Sequence, residues 1–303
     1  MKKIKIKTPA KINLTLEILG KRKDGFHNIQ SIMQTVSLYD ILSFETVENK
    51  NLIIQLKGNS DEIPYNEKNL VYKVAEDILN KYNIKKGVTI KIFKRIPVGA
   101  GLAGGSTDCA ATLKGMLVLF KINISKSDIY KICARYGADV SFCYNGGTVL
   151  ATGIGNVLNK LPAHPYTNII LVEPNFSIQT KNLYEKIDQI DQNQDKNQIQ
   201  TQKEKYKNNI RNMIRAIKYG DSRAIASNFY NYFEEIVTNA YPVIREIKYA
   251  LIDAGALGAS MTGTGSTMFG YFDSFSLAKK TTSTIRKKFP GFDVYLVKNL
   301  GQY

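Results

Sequence analysis

The chain has 303 residues, 44% hydrophobic and 22% charged, enough apolar material for roughly two domains with their own cores. Its net charge is +16, yet only eight of the 42 basic residues are arginine. The lysines, scattered among Asn and Ile, read as solvated faces, and a nucleic-acid partner is not expected. The apolar runs are too short for a membrane span, and the alternating N-terminus has no leader-like apolar core. Three cysteines without a C-x-x-C pair predict reduced thiols in a cytoplasm, and two histidines exclude a His-rich metal site.

In chain order, Ile4 and Ile6 alternate with lysine, and Ile12, Leu14, Leu16 and Ile18 continue the period of two, which predicts a half-buried strand. A turn follows at Gly20–Gly25, then strands near 29–38, 41–47 and 51–57. Leu70, Val71, Val74, Ile78 and Leu79 recur at helical spacing and predict a helix over 69–82. A strand over 88–96 leads into Pro97-Val-Gly-Ala-Gly-Leu-Ala-Gly-Gly-Ser-Thr-Asp108. Ser106, Thr107 and Asp108 read as a helix start, with the helix running over 110–120 and Leu113, Leu117 and Phe120 on one face. A second helix begins at Ser125. Strands are expected over 146–152 and 168–173, and a helix from Thr180. The middle of 188–209, rich in Gln, Asn, Lys and Asp, reads as a mobile surface loop. Helices over 208–218, 222–237 and 242–254 precede strand 257–263, strand 267–272, helix 275–289 and strand 292–298. Together with 168–173 these give a β-α-β-β-α-β order carrying helical insertions.

The glycine run organises the chain. Gly99, Gly101 and Gly104 fit G-x-G-x-x-G, but the next element is a second helix and not a strand ending in an acid, so a dinucleotide fold is not indicated. Gly105 stands where a P-loop needs lysine, and neither H-R-D nor D-F-G occurs downstream. A glycine-rich loop feeding a helix is still an anion site, above all for phosphate. Three other elements are ambiguous alone. Lys11 and Asn13 in Pro9-Ala-Lys-Ile-Asn-Leu share a strand face, which by itself reads as an outward polar face. Asp139 in Gly-Ala-Asp-Val could be a cap, and Met261-Thr-Gly263-Thr-Gly265-Ser a hairpin turn.

In order and approximate spacing, the four segments together resemble the signatures of the GHMP kinases, which phosphorylate small metabolites with ATP. The resemblance implies a two-domain α+β fold, with an ATP-binding domain over 1–163 and a ferredoxin-like substrate domain over 164–303. Pro9-Ala-Lys-Ile-Asn-Leu, Lys23-Asp-Gly-Phe-His27 and Gln30-Ser-Ile-Met-Gln narrow it to those members whose acceptor is cytidine diphosphate-linked methylerythritol, in isoprenoid precursor synthesis.

By that resemblance, Asp139 is the base or orienter of the acceptor hydroxyl, and Lys11 lies beside it. Pro97, Gly99, Gly101, Gly104, Gly105 and Ser106 or Thr107 hold the phosphates, and Asn69 and Lys94 lie near the adenine. Asn13, Phe26, His27, Thr180, Tyr184, Gly263 and Gly265 face the substrate, with His27 reading the cytosine edge and Tyr184 stacked on its ring. Mg²⁺ accompanies ATP, but no confident carboxylate ligand for it is found in the sequence. A small-molecule substrate, no membrane, and a monomer or homodimer complete the expectation.

Overall fold

The computed structural model describes residues 2–48, 53–193 and 209–302. These residues divide into two compact units. Unit 1 takes residues 1–10, 38–98 and 103–145, and unit 2 takes 11–37, 99–102 and 146–303. Two long strands, β1 (Lys3–Lys21) and β2 (His27–Val47), contribute to both. The predicted strands 29–38 and 41–47 are one continuous strand, because Ser37, Leu38, Tyr39 and Asp40 remain extended.

In unit 1 the strand order is β3 (Ile54–Gly58), β4 (Gly87–Phe93), β2, β1. Residues 51 and 52 of the predicted 51–57 strand lie outside the described residues. Leu42, Phe44, Leu56, Val88, Ile90 and Ile92 are buried on one face. Four helices complete the unit: α1 (Leu70–Lys81), α2 (Gly104–Leu119), α3 (Lys126–Tyr136) and α4 (Ala138–Asn145). α2 begins six residues before the predicted 110, at Gly104, and it is buried on nearly every side rather than along one stripe. Close approach explains part of this: a Cβ on Gly115 would lie 2.5 Å from the Phe44 ring.

In unit 2, β5 (Thr148–Thr152) pairs antiparallel with β2 and with β6 (Val157–Lys160). β8 (Tyr230–Asn231) runs parallel to β1 at Thr15 and Leu16. A separate four-stranded antiparallel sheet has the order β11 (Asp293–Lys298), β7 (Asn168–Glu173), β10 (Met268–Phe272), β9 (Gly258–Met261). Counted within this sheet, the order is fourth, first, third, second, as the β-α-β-β-α-β reading requires. Its helices include α5 (Thr180–Asn193), α9 (Pro242–Asp253) and α10 (Phe275–Lys288). Ile170, Val172, Ile244, Ile247, Leu251, Ala278 and Ile285 share one core with Leu16 and Ile18 of β1.

Two expectations change here. The helix predicted over 222–237 is two, α7 (Ser222–Ser227) and α8 (Tyr232–Ala240), separated by the β8 bridge. Asn231 ends the bridge and caps α8, its side chain accepting from Phe233 N–H. The polar 188–209 segment starts inside α5, which continues to Asn193, and helix α6 covers 209–219. The middle of that segment, read as a mobile loop, lies outside the described residues.

Candidate active site

The glycine run turns where the reading placed it, but the helix starts earlier. Positive φ values at Gly99 (69°), Gly101 (80°) and Ala103 (59°) alternate along the loop, a pattern that aims successive N–H groups to one side. α2 then opens at Gly104 with no side-chain cap, so its first N–H groups remain available to an anion. A Cβ at Gly105 would meet nothing within 4 Å. Glycine there keeps an open approach to the backbone.

Ser106, Thr107 and Asp108 therefore lie inside the first turns of α2 and do not precede them. Thr107 is fully buried, its hydroxyl donating to the Pro9 carbonyl (2.8 Å) and lying 2.6 Å from the Thr8 hydroxyl. Of the two candidate hydroxyls, Ser106 alone keeps some exposure.

Lys94 points inward. Its ammonium donates to Asp40 (2.5 Å) and Asp108 (2.9 Å), and all three side chains are at most 5% exposed. The Lys94 backbone N–H and carbonyl are both engaged by the Asn59 side chain. Only its stem is left to line a nucleotide site. Asp40 also accepts from the N–H groups of Arg95 and Ile96, which fixes the strand exit ahead of the glycine run. Asp108 Oδ1 has no hydrogen-bond partner among the described residues. Burial raises the Asp108 pKa to about 8 against the pull of Lys94, and Asp40 pushes it the same way. Asn69 caps α1, accepting from Val71 N–H (2.9 Å) and donating to the Pro64 carbonyl (2.7 Å). Asp139 is half-buried in the first turn of α4, just after Gly137, where the helix dipole favours a carboxylate.

In unit 2, Lys11 and Asn13 are each 4% exposed. The outward polar face that their spacing alone suggested is not there, because β1 is buried on both faces from Thr8 to Ile18. Asn13 Oδ1 accepts from Lys11 Nζ (2.7 Å), from Gly263 N–H (3.0 Å) and from the Thr262 hydroxyl (3.3 Å), while its Nδ2 donates to the Ser31 hydroxyl (2.8 Å). Its amide is thus engaged at both ends by the protein, and it positions the Lys11 ammonium and the hairpin. That hairpin packs on the glycine run: a Cβ on Gly263 would lie 3.0 Å from Gly101 Cα. A Cβ on Gly265 would lie 2.8 Å from Met261 Sδ. The two glycines serve close backbone approach, and the Gly263 N–H is already held by Asn13.

His27 is buried, and its Nε2 lies 2.9 Å from Asp188 Oδ1. Lys21 Nζ holds the other Asp188 oxygen at 2.5 Å, and both partners lower the Asp188 pKa, Lys21 more strongly. The Tyr184 ring lies 4.8 Å from the His27 ring and meets Phe233 edge-on. Phe26 is 61% exposed. Thr180 is exposed at the start of α5, its hydroxyl 3.0 Å from that of Thr264.

Sequence reasoning missed Asp188, Asp40, Ser31 and Thr262. A charged Asp40 inside an apolar strand was a usable signal. Asp188 was hidden in a run of polar residues.

A four-stranded β-α-β-β-α-β sheet, together with a glycine loop opening an uncapped helix, defines the class: the architecture of the GHMP kinases. The family model for the GHMP kinases N terminal domain matches residues 69–147, and that for GHMP kinases C terminal matches 213–291. The 4-diphosphocytidyl-2-C-methyl-D-erythritol kinase of Caldicellulosiruptor bescii is 41% identical over 93% of this chain and 94% of its own. That of Clostridium novyi is 38% identical over 96% and 98%. A crystal structure of 4-(cytidine 5'-diphospho)-2C-methyl-D-erythritol kinase superposes with TM-score 0.79 at 25% identity, covering 98% of this chain and all of that one. Within the class, the chain belongs to the 4-diphosphocytidyl-2-C-methyl-D-erythritol kinase family. Among the described residues no helix is long and apolar enough to cross a membrane.

Proposed function

We propose that the protein transfers the γ-phosphoryl group of ATP to the 2-hydroxyl of 4-diphosphocytidyl-2-C-methyl-D-erythritol, a step of isoprenoid precursor synthesis. The observation that carries the choice of acceptor is the buried His27 held by Asp188 beside Tyr184. An imidazole whose Nε2 is taken by a carboxylate has its Nδ1 left for the hydrogen-bonding edge of cytosine. The tyrosine offers a ring for its flat face, and Phe26 and Thr180 complete the substrate set.

Phosphoryl transfer asks mainly for position and charge stabilisation. The N–H groups of the glycine run and of the α2 start would take the β- and γ-phosphates. Ser106 would add a hydroxyl, and Asn69 and the Lys94 stem would lie near the adenine. Asp139 accepts or orients the proton of the tertiary alcohol, which is a weak nucleophile without a base. Lys11, with its ammonium set by Asn13, steadies charge on the transferring group. Among the described residues no group of three His, Cys, Asp or Glu side chains could hold a metal. Mg²⁺ bound with ATP takes most of its ligands from phosphates and water, and Ser106 would stand beside it. A functional boundary near 163/164, a cytoplasmic location, no nucleic-acid partner and a monomer or homodimer belong to the same reading.

A coupled ADP-release assay tests it. Turnover with the cytidyl acceptor should exceed that with homoserine or mevalonate by at least about 10³-fold, because unfilled polar pockets reject smaller acceptors strongly. Equal turnover with either would remove the assignment.

A further inference from the structure

The sheet of unit 1 has a second face that the phosphate loop does not use. Lys94 turns its side chain toward Gly104, where a Cβ would lie 3.0 Å from Nζ. The residue before it, Phe93, points the other way and is 51% exposed. On that side a cavity of about 520 Å³ is lined by Lys5, Ile41, Ser43, Lys57, Lys91 and Phe93. Its volume falls in the range of sites for small organic ligands.

The charge arrangement is unusual for an empty surface. Lys57 of β3 and Lys91 of β4 are direct register partners in a parallel pair, and Ser43 of β2 is the partner of Lys91 on the other side. Ile41 and Phe93 are partners one rung along. Like charges directly opposite each other on one sheet face destabilise the pairing. Lys5, on β1, brings a third ammonium to the same cavity. Among the described residues no carboxylate lies within ion-pair distance of these three lysines, whereas Lys3, nearer the end of β1, has Glu45 at 3.7 Å. The cavity thus combines three uncompensated ammoniums with an apolar floor that ends in an exposed ring.

We infer that this face binds a nucleotide-sized phosphorylated ligand, its phosphate among Lys5, Lys57 and Lys91 and its planar ring on Phe93. The site is separate from the phosphate loop. An ammonium cluster attracts dianionic phosphate, and an exposed phenyl ring stacks any base without choosing among them. The limited size of this open depression, about 520 Å³, favours a free mononucleotide over a strand of nucleic acid.

The chain contains no tryptophan, so Phe93→Trp installs a single reporter in the full-length protein. Titration with AMP should quench its fluorescence saturably, with adenosine and inorganic phosphate each much weaker. Adding Lys57→Gln and Lys91→Gln should weaken AMP at least tenfold while kinase turnover stays unchanged, since neither lysine belongs to the phosphate loop. The quench should survive in a Gly105→Val background. An unchanged quench in the lysine variant, loss of the quench in Gly105→Val, or tighter binding of a twelve-residue oligothymidylate than of AMP would each overturn the proposal. If Phe93→Trp misfolds, calorimetric titration of AMP into Gly105→Val, with and without the two lysine changes, reads the same difference.

Discussion

At the scale of single residues, the buried charges divide into those held for chemistry and those held for architecture. Asp139, half-buried in the first turn of α4, is the proposed member of the first group. Asp139→Asn keeps the shape of the side chain and removes its basicity, and turnover should fall roughly 10²–10⁴-fold with ATP binding little changed. Lys11→Met should also slow turnover, and the double variant should lose less than the two losses combined if the residues act as a unit. Single-turnover rates with melting temperatures decide this: near-normal rates in Asp139→Asn, with only a lowered melting temperature, would make the residue structural. Asp108 belongs to the second group. Its pKa is about 8 in the folded chain because burial outweighs Lys94, against about 4 when unfolded. A raised acid pKa adds stability that is complete below the unfolded value and disappears as pH climbs through the folded one. The melting temperature should therefore fall progressively between about pH 4 and pH 8. Asp108→Asn should flatten that fall, and an equally steep fall in the variant would assign it to other groups.

At the scale of elements, the glycine run and α2 show that adjacent glycines have different duties. Gly104 looks like the natural position at which to block phosphate, but a Cβ there would press on Lys94 Nζ (3.0 Å) and Ile96 Cγ2 (3.2 Å). Gly104→Val would disturb the Asp40–Lys94–Asp108 cluster as well as the loop. Gly105 faces open space, so Gly105→Val is the cleaner test. It should leave the melting temperature within a few degrees of the parent while weakening ATP by at least tenfold, because the added methyl groups occupy the approach to the backbone N–H groups. Unchanged ATP affinity would put the phosphates elsewhere. The early start of α2 has the same origin: Ala103 adopts the left-handed conformation that ends the turn, and the helix begins directly after it.

At the scale of the whole molecule, the three cysteines report on packing. Cys109, Cys133 and Cys143 are all buried and unbridged, and burial pushes the Cys109 and Cys133 thiols well up. A thiol reagent needs thiolate and access. The native protein at pH 8 should react with essentially none of its thiols within minutes, and the unfolded chain with all three. Rapid labelling of the native protein would mean that unit 1 opens around α2, α3 and α4. Both units draw on distant parts of the chain, since residues 11–37 and 99–102 belong with 146–303, and many contacts of unit 2 therefore close long loops.

The segments whose meaning lies in local backbone chemistry were legible in the sequence. Dense glycines can only mark a turn of special torsion, the period of two in β1 can only be a strand, and the order of elements after Asn168 leaves the β-α-β-β-α-β sheet as the economical reading. The motifs around Lys11, Phe26-His27, the glycine run and Asp139 named the family for the same reason, being short and contiguous. What needed the tertiary structure were the facts about distant partners. Burial of Lys11 and Asn13 depends on covering both faces of β1, which no strand pattern encodes. The partner of His27 is 161 residues away, and Asp40, Lys94 and Asp108 come together from three elements. The direction in which Thr107 turns its hydroxyl was decided by Thr8 and Pro9, almost a hundred residues earlier. A sequence states which side chains are available; which of them spend their hydrogen bonds on one another, and which are left for a ligand, is decided only when folding brings the partners within reach.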